Sequence, residues 1–208
     1  VAEVDTNIGR LLDAIAEAEL PGEVYVLVVS DHGQANYVDP ETTFVLRDHI
    51  DLTGLEVTAG GAYAWIYQQQ PDRKRALAIR DAINEAWAHG HAVLRDEAPA
   101  EWRVDDSPRF PGIFVIPDLG YGVVAEREAV QRLKNGDHGW DPSNKAMHGI
   151  FLAAGPGLPE GVAIGEVSAV EIYPLMLELL RIDEPLPAGG RDRLRSLLDN
   201  DGRIHTPR

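Results

Sequence analysis

Two short segments of the 208-residue chain hold the side chains best suited to chemistry: Ser30-Asp31-His32-Gly33 and Gly136-Asp137-His138-Gly139. Each sets a carboxylate beside an imidazole and follows them with glycine. A carboxylate oxygen and a neutral imidazole nitrogen both bind zinc at about 2 Å. Adjacent side chains on a straight strand point apart, and a glycine beside them lets the backbone turn so that they converge on one ion. A single Asp-His pair reads first as a surface loop whose aspartate caps the next helix. Two pairs, one of them directly after the apolar run Val24 to Val29, shift the reading towards a metal site. Loops at the carboxyl ends of strands are where open α/β sheets bind ligands.

Other residues are weaker candidates. His148 adjoins an apolar run and reads as a packed core histidine, while His89 and His91 flank Gly90 at a helix-to-strand junction and read as solvent-exposed. Gly155 to Gly161 is rich in glycine but lacks the Lys-Ser/Thr of a phosphate-cradling loop, so it reads as a turn. Ser30 lacks the glycine bracket of a hydrolase nucleophile elbow, and its hydroxyl reads as a support for the Asp31 loop. Tyr63, Trp65 and Tyr67 share one strand face at period two, where packing beneath a helix is favoured over stacking a base or aryl group. Cysteine is absent, which removes disulfides, thiolate metal sites and cysteine nucleophiles together.

Alternating elements position these residues. Val4, Ile8, Leu11, Leu12, Ile15 and Ala18 recur at helical spacing and predict a helix over 3–19, stopped by Leu20-Pro21-Gly22. Val24 to Val29 predicts a strand buried on both faces. Further strands are expected at 62–67, 92–94, 113–116 and 149–154, with ambiguous short segments at 43–46 and 52–57. Helices are expected after Pro71-Asp72 and over 170–180, and a frayed charged tail over Arg191 to Arg208. Strands alternating with helices make the class α/β. Composition agrees with a folded globular chain: 44% hydrophobic, 25% charged. The formal net charge of −15 argues against a nucleic-acid-binding surface, and no run of about 18 apolar residues offers a membrane segment. No feature specifies an oligomeric state.

In sequence the chain resembles the type I phosphodiesterases and nucleotide pyrophosphatases of the alkaline phosphatase superfamily. The resemblance is carried in order by Val4-Asp5-Thr6-Asn7-Ile8-Gly9-Arg10-Leu11-Leu12, by Val28-Val29-Ser30-Asp31-His32-Gly33 and by Gly136-Asp137-His138-Gly139-Trp140-Asp141. It continues through Met147-His148-Gly149-Ile150-Phe151-Leu152-Ala153-Ala154-Gly155-Pro156-Gly157 and Val170-Glu171-Ile172-Tyr173-Pro174-Leu175-Met176. Trp140 stands where the family more often has tyrosine. The resemblance implies an alkaline-phosphatase-like fold with a mostly parallel central sheet flanked by helices on both faces. It implies two Zn2+, one held by Asp31 and His32 together with the nucleophile, the other by His138. Asp137 is not a matched ligand, so a turn or supporting role is expected of it.

The same resemblance places the first metal-binding aspartate, the nucleophilic Thr or Ser and an Asp-x-x-x-His pair ahead of the opening helix, and no Asp-x-x-x-His occurs in this chain. Residues 1–208 are therefore expected to be the C-terminal part of a partial catalytic domain, with a small excursion near 41–112 and no activity in isolation. The expected partner is a small phosphoester, and the family suggests an exported protein. A phosphomonoesterase or sulfatase of the same superfamily, and a non-catalytic α/β binding module, stand as the alternatives.

Overall fold

The computed structural model describes residues 1–104, 107–133, 135–158 and 160–184; the charged tail from Arg191 to Arg208 lies outside them. In chain order the principal elements are α1 (Ala2–Glu17), β1 (Val26–Val29), β2 (Ala35–Asn36), β3 (Phe44–Val45), β4 (Leu55–Ala59), β5 (Ala64–Gln68) and α2 (Arg73–Ala86). They continue with β6 (Gly90–Leu94), β7 (Ile113–Pro117), β8 (Val123–Val124), β9 (Gly136–Asp137), β10 (Phe151–Ala154) and α3 (Ala169–Leu179). The chain divides into two compact units. One joins Val1–Val29 to the segment from Phe151 onward, and the other is Ser30–Ile150.

The core of the Ser30–Ile150 unit is a sheet in the order β4-β5-β7-β6, antiparallel at every pairing. Alternate residues of its strands, Ala64 and Ile66, Ile113 and Val115, Ala92 and Leu94, meet Ala76, Ile79 and Ile83 of α2. Asp72 caps that helix by accepting the Arg75 amide at 3.2 Å, which contributes about 1 kcal/mol. Asn84 on α2 closes the open edge of β6. Its Oδ1 accepts the Ala92 amide at 2.6 Å and its Nδ2 donates to the Ala92 carbonyl at 3.0 Å. Among the described strands the one parallel pair is β3 with β8. The α/β class stands, as small separate sheets whose pairings run mostly antiparallel where the family resemblance implies a mostly parallel central sheet.

The aromatic stripe also lies differently from the expectation. The aliphatic residues Ala64 and Ile66 take the helix side, so Tyr63, Trp65 and Tyr67 face away from α2 and Trp65 keeps 38% of its surface exposed. On that face Trp102 packs edge-on against Phe114 at 5.6 Å.

In the other unit, β1 pairs antiparallel with β10, Val28 opposite Leu152 and Val29 opposite Phe151. Leu27 and Phe151 point to one face and meet Leu175 and Leu179 of α3, which runs without a break through Pro174. Val28 and Leu152 point to the other face, and Leu152 is 58% exposed. The expected two-sided burial of 24–29 is thus found on one side only, since α3 covers a single face of a two-stranded ladder. The apolar stripe of α1 is likewise open: it has no buried residue, and Val4, Leu11 and Leu12 are exposed. No helix among the described residues is long and apolar enough to cross a membrane.

Candidate metal centre

The ladder between β2 and β9 does most to assemble the site, although each strand has only two residues. Ala35 pairs with Asp137 and Asn36 with Gly136, and the Tyr37 amide extends the ladder by donating to the Asn135 carbonyl at 3.1 Å. The two Asp-His-Gly segments adjoin this ladder, so both come to the same end of the unit. Their imidazoles meet face to face, His32 on His138, with ring centroids 3.6 Å apart and planes within 10°.

A second set of contacts fixes the first loop. The Ser30 amide donates to the Ile150 carbonyl at 3.1 Å, and the Ile150 amide returns a bond to Ser30 Oγ at 2.8 Å. That hydroxyl also reaches the His32 carbonyl at 3.3 Å, the supporting role expected of Ser30. The Gly33 amide donates to the Met147 carbonyl at 2.9 Å. Only glycine fits at this position, because a Cβ on residue 33 would stand 2.1 Å from the Ala146 carbonyl oxygen.

The two aspartates begin alike. Asp31 Oδ1 accepts the His32 amide at 3.0 Å, and Asp137 Oδ1 accepts the His138 amide at 2.9 Å. Their second oxygens differ. Asp31 Oδ2 lies 3.3 Å from His32 Nε2 on a largely solvent-facing side chain. Asp137 Oδ2 instead accepts the Tyr37 hydroxyl at 2.8 Å in a buried pocket with Trp140, Met147 and Ala62. Burial first, then the bond to Asp137 and its charge, push the Tyr37 phenol well above its ordinary pKa.

His32 Nδ1 is 2.7 Å from the Gly33 carbonyl, which can only accept, so Nδ1 carries the hydrogen. In the neutral ring Nε2 then turns a lone pair towards a carboxylate oxygen 3.3 Å away, and such a contact needs a proton or a metal cation between the two. Two ligands about 2.0 Å from a tetrahedral zinc stand about 3.3 Å apart, so the spacing suits a shared ion, and the Nδ1 tether is the usual outer support of a ligating histidine. Parallel rings 3.6 Å apart cannot aim in-plane lone pairs at one ion; they suit separate ions, and paired catalytic metals sit roughly 3.5–4 Å apart. Among the described residues no group of three or more His, Cys, Asp or Glu gathers to hold an ion. What the chain presents is a pair, Asp31 with His32, and a single donor, His138.

Three other histidines weighed from the sequence lie elsewhere in their contacts. His148, expected in the core, is exposed, with Nε2 3.2 Å from the Pro142 carbonyl. His89 stacks on Tyr121 at 4.0 Å, and His91 is exposed. Tyr37 had no role in the sequence reading, because it sits in the polar stretch from Gln34 to Pro40. The available signal was an aromatic residue two positions beyond Ala35, on the same strand face.

A profile of the family described as type I phosphodiesterase / nucleotide pyrophosphatase matches residues 1–141. Human ectonucleotide pyrophosphatase/phosphodiesterase family member 7 is 29% identical over 208 residues, covering 95% of this chain and 43% of that protein. The bis(5′-adenosyl)-triphosphatase of Xenopus laevis is 25% identical over 198 residues, covering 95% of this chain and 42% of its own length. Among solved structures, human ectonucleotide pyrophosphatase/phosphodiesterase 5 superposes with a TM-score of 0.78 at 22% identity, over 93% of this chain and 50% of that one. Its murine counterpart, an inactive threonine-to-alanine variant in complex with AMP, gives 0.79 at 24% identity, over 92% and 49%. These likenesses show an alkaline-phosphatase-like α/β fold. The chain spans less than half the length of these curated relatives and about half of the solved structures.

Proposed function

Because the chain belongs to the type I phosphodiesterase / nucleotide pyrophosphatase family, we propose that it contributes Asp31, His32 and His138 to a two-zinc centre that hydrolyses phosphodiester or pyrophosphate bonds. The observation that carries this reading is the Asp31 Oδ2 to His32 Nε2 contact at 3.3 Å, with Nδ1 tethered to the Gly33 carbonyl. Bound there, zinc supplies Lewis acidity: it acidifies a hydroxyl or water nucleophile and neutralises charge on the phosphoryl oxygens.

The chain's own residues hold and orient. Asp31 keeps its loop closed through Oδ1 and leaves Oδ2 for the ion, while His32 is held in one tautomer. His138 lies against His32 from the neighbouring loop. In this reading the nucleophile is a Thr or Ser in a preceding segment, together with the remaining ligands. The inactive threonine-to-alanine variant of the murine neighbour, solved with AMP, supports a threonine nucleophile and a small phosphoester substrate. A chain with formal charge −15 repels such an anion at long range, so attraction falls to the metal centre.

The test uses the 208 residues joined to the preceding segment of the protein. An aryl phosphodiester should be hydrolysed, chelator should abolish turnover, and Asp31→Ala and His138→Ala should each lower the rate at least 100-fold. Full activity in His138→Ala refutes the assignment. Faster turnover of a monoester or sulfate ester would move the enzyme to another branch of the superfamily. The isolated 208 residues should show no turnover.

A further inference from the structure

Asp31 and Asp137 occupy the same place in the same short motif, yet only Asp31 leaves its second oxygen facing an imidazole. The difference is Tyr37, 100 residues from Asp137 in sequence, whose hydroxyl takes Asp137 Oδ2 at 2.8 Å. Tyr37 cannot swing away. Its ring meets Trp140 edge-on at 5.3 Å, and Trp140 is fixed by its own indole N–H on the Tyr121 carbonyl at 2.9 Å. Behind it lies Gly61 at φ +91°, where any Cβ would stand 2.1 Å from the Tyr37 oxygen and 3.2 Å from Asp137 Oδ2. Asp137 therefore has both oxygens committed, one to Tyr37 and one to the main chain of His138.

We propose that Tyr37 and Asp137 are a positioning pair that fixes the His138 backbone, so setting the His138 ring against His32 and keeping the Asp137 carboxylate away from the ion. The proposal rests on the reading of His138 as a ligand. Neither residue touches substrate. Tyr37 holds Asp137, Asp137 holds the amide of His138, and the ladder between β2 and β9 carries all three.

The test compares Tyr37→Phe, Asp137→Asn and Leu133→Ala in the 208-residue chain. Leu133 packs in the same cluster and makes no bond to the pair, so its truncation gives a purely structural control. The first readout needs no metal: nitrogen and proton signals of the His32 and His138 rings, and exchange of the His138 amide. Tyr37→Phe should move both sets of ring signals and speed His138 amide exchange at least tenfold. Asp137→Asn, which keeps an acceptor for one bond only, should move the same signals. Leu133→Ala should lower stability and leave the ring signals in place. The second readout is titration with Co2+ alone of the same variants in the 208 residues joined to the preceding segment, where loss of such an outer support weakens binding about 10–100-fold and alters the visible spectrum. Unmoved ring signals together with an unchanged cobalt midpoint in Tyr37→Phe overturn the pair. Absence of cobalt binding when the 208 residues are joined to the preceding segment overturns the metal reading instead, and the ring signals still decide the pair.

Discussion

Gly33→Ala puts the closure of the first loop to a direct test. The added Cβ would lie 2.1 Å from the Ala146 carbonyl oxygen and 2.7 Å from that of His148, where ordinary contact begins at 3.4 Å. Both neighbours are backbone atoms, so no side chain can rotate aside, and the two strands of chain must open by more than 1 Å. Overpacking of this kind costs about 1–3 kcal/mol, and the Gly33 amide bond to Met147 adds about 1, giving about 2–4 kcal/mol in all. With a urea m-value of about 2 kcal/mol/M the unfolding midpoint should fall by about 1–2 M. All four tryptophans lie between Ser30 and Ile150, so their fluorescence reports this unit alone. The His32 tether to the Gly33 carbonyl should be disturbed with it, weakening cobalt binding. Gly112→Ala, in the same unit and with its nearest Cβ contact at 3.9 Å, is the matched control. An unchanged midpoint and unchanged cobalt binding in Gly33→Ala would show that the segment 146–148 yields freely and does not clamp the loop.

Two further outcomes follow from the same contacts. Asn84→Ala strips partners from both backbone groups of Ala92, which is 1% exposed, and should cost about 2–4 kcal/mol, seen as a melting temperature lower by roughly 5–15 °C; a shift under about 2 °C would mean that water replaces the clamp. Because the folded-state pKa of Tyr37 is raised, its contribution to stability is fully present below about pH 10, the unfolded value, and is lost as pH rises above it. Tyrosinate absorbance should therefore show one phenol of six ionising only with alkaline unfolding, and that late step should vanish in Tyr37→Phe.

Much of the frame was legible because its signals are local. The stripe Val4-Ile8-Leu11-Leu12-Ile15 marked α1, the Pro71-Asp72 start marked α2, and the apolar runs marked β1, β5, β7 and β10 to within a few residues. The two Asp-His pairs that the structure brings together were legible as residue types beside glycine. What joins them was not. β2 and β9 have two residues each, too short for any period, and their partnership spans a hundred residues. Tyr37 could not be matched to Asp137 for the same reason. Strand direction and the open faces of Leu152 and Leu11 also escaped, since an apolar residue announces that it favours burial without saying what covers it.

The Ser30 to Ile150 bonds and the ladder from Ala35 to Tyr37 close the chain twice, one closure nested inside the other. Everything between Tyr37 and Asn135 therefore leaves and returns through a single paired gate. Such a gate makes the intervening sheet and helix modular. Changes in that lobe away from Gly61, Ala62, Tyr121 and Leu133, which pack against Tyr37 and Trp140, leave the two imidazoles in place, as chain ends held side by side let domains be grafted. Stacking the two imidazoles closes a loop of about a hundred residues, whose entropy cost the nested contacts must offset.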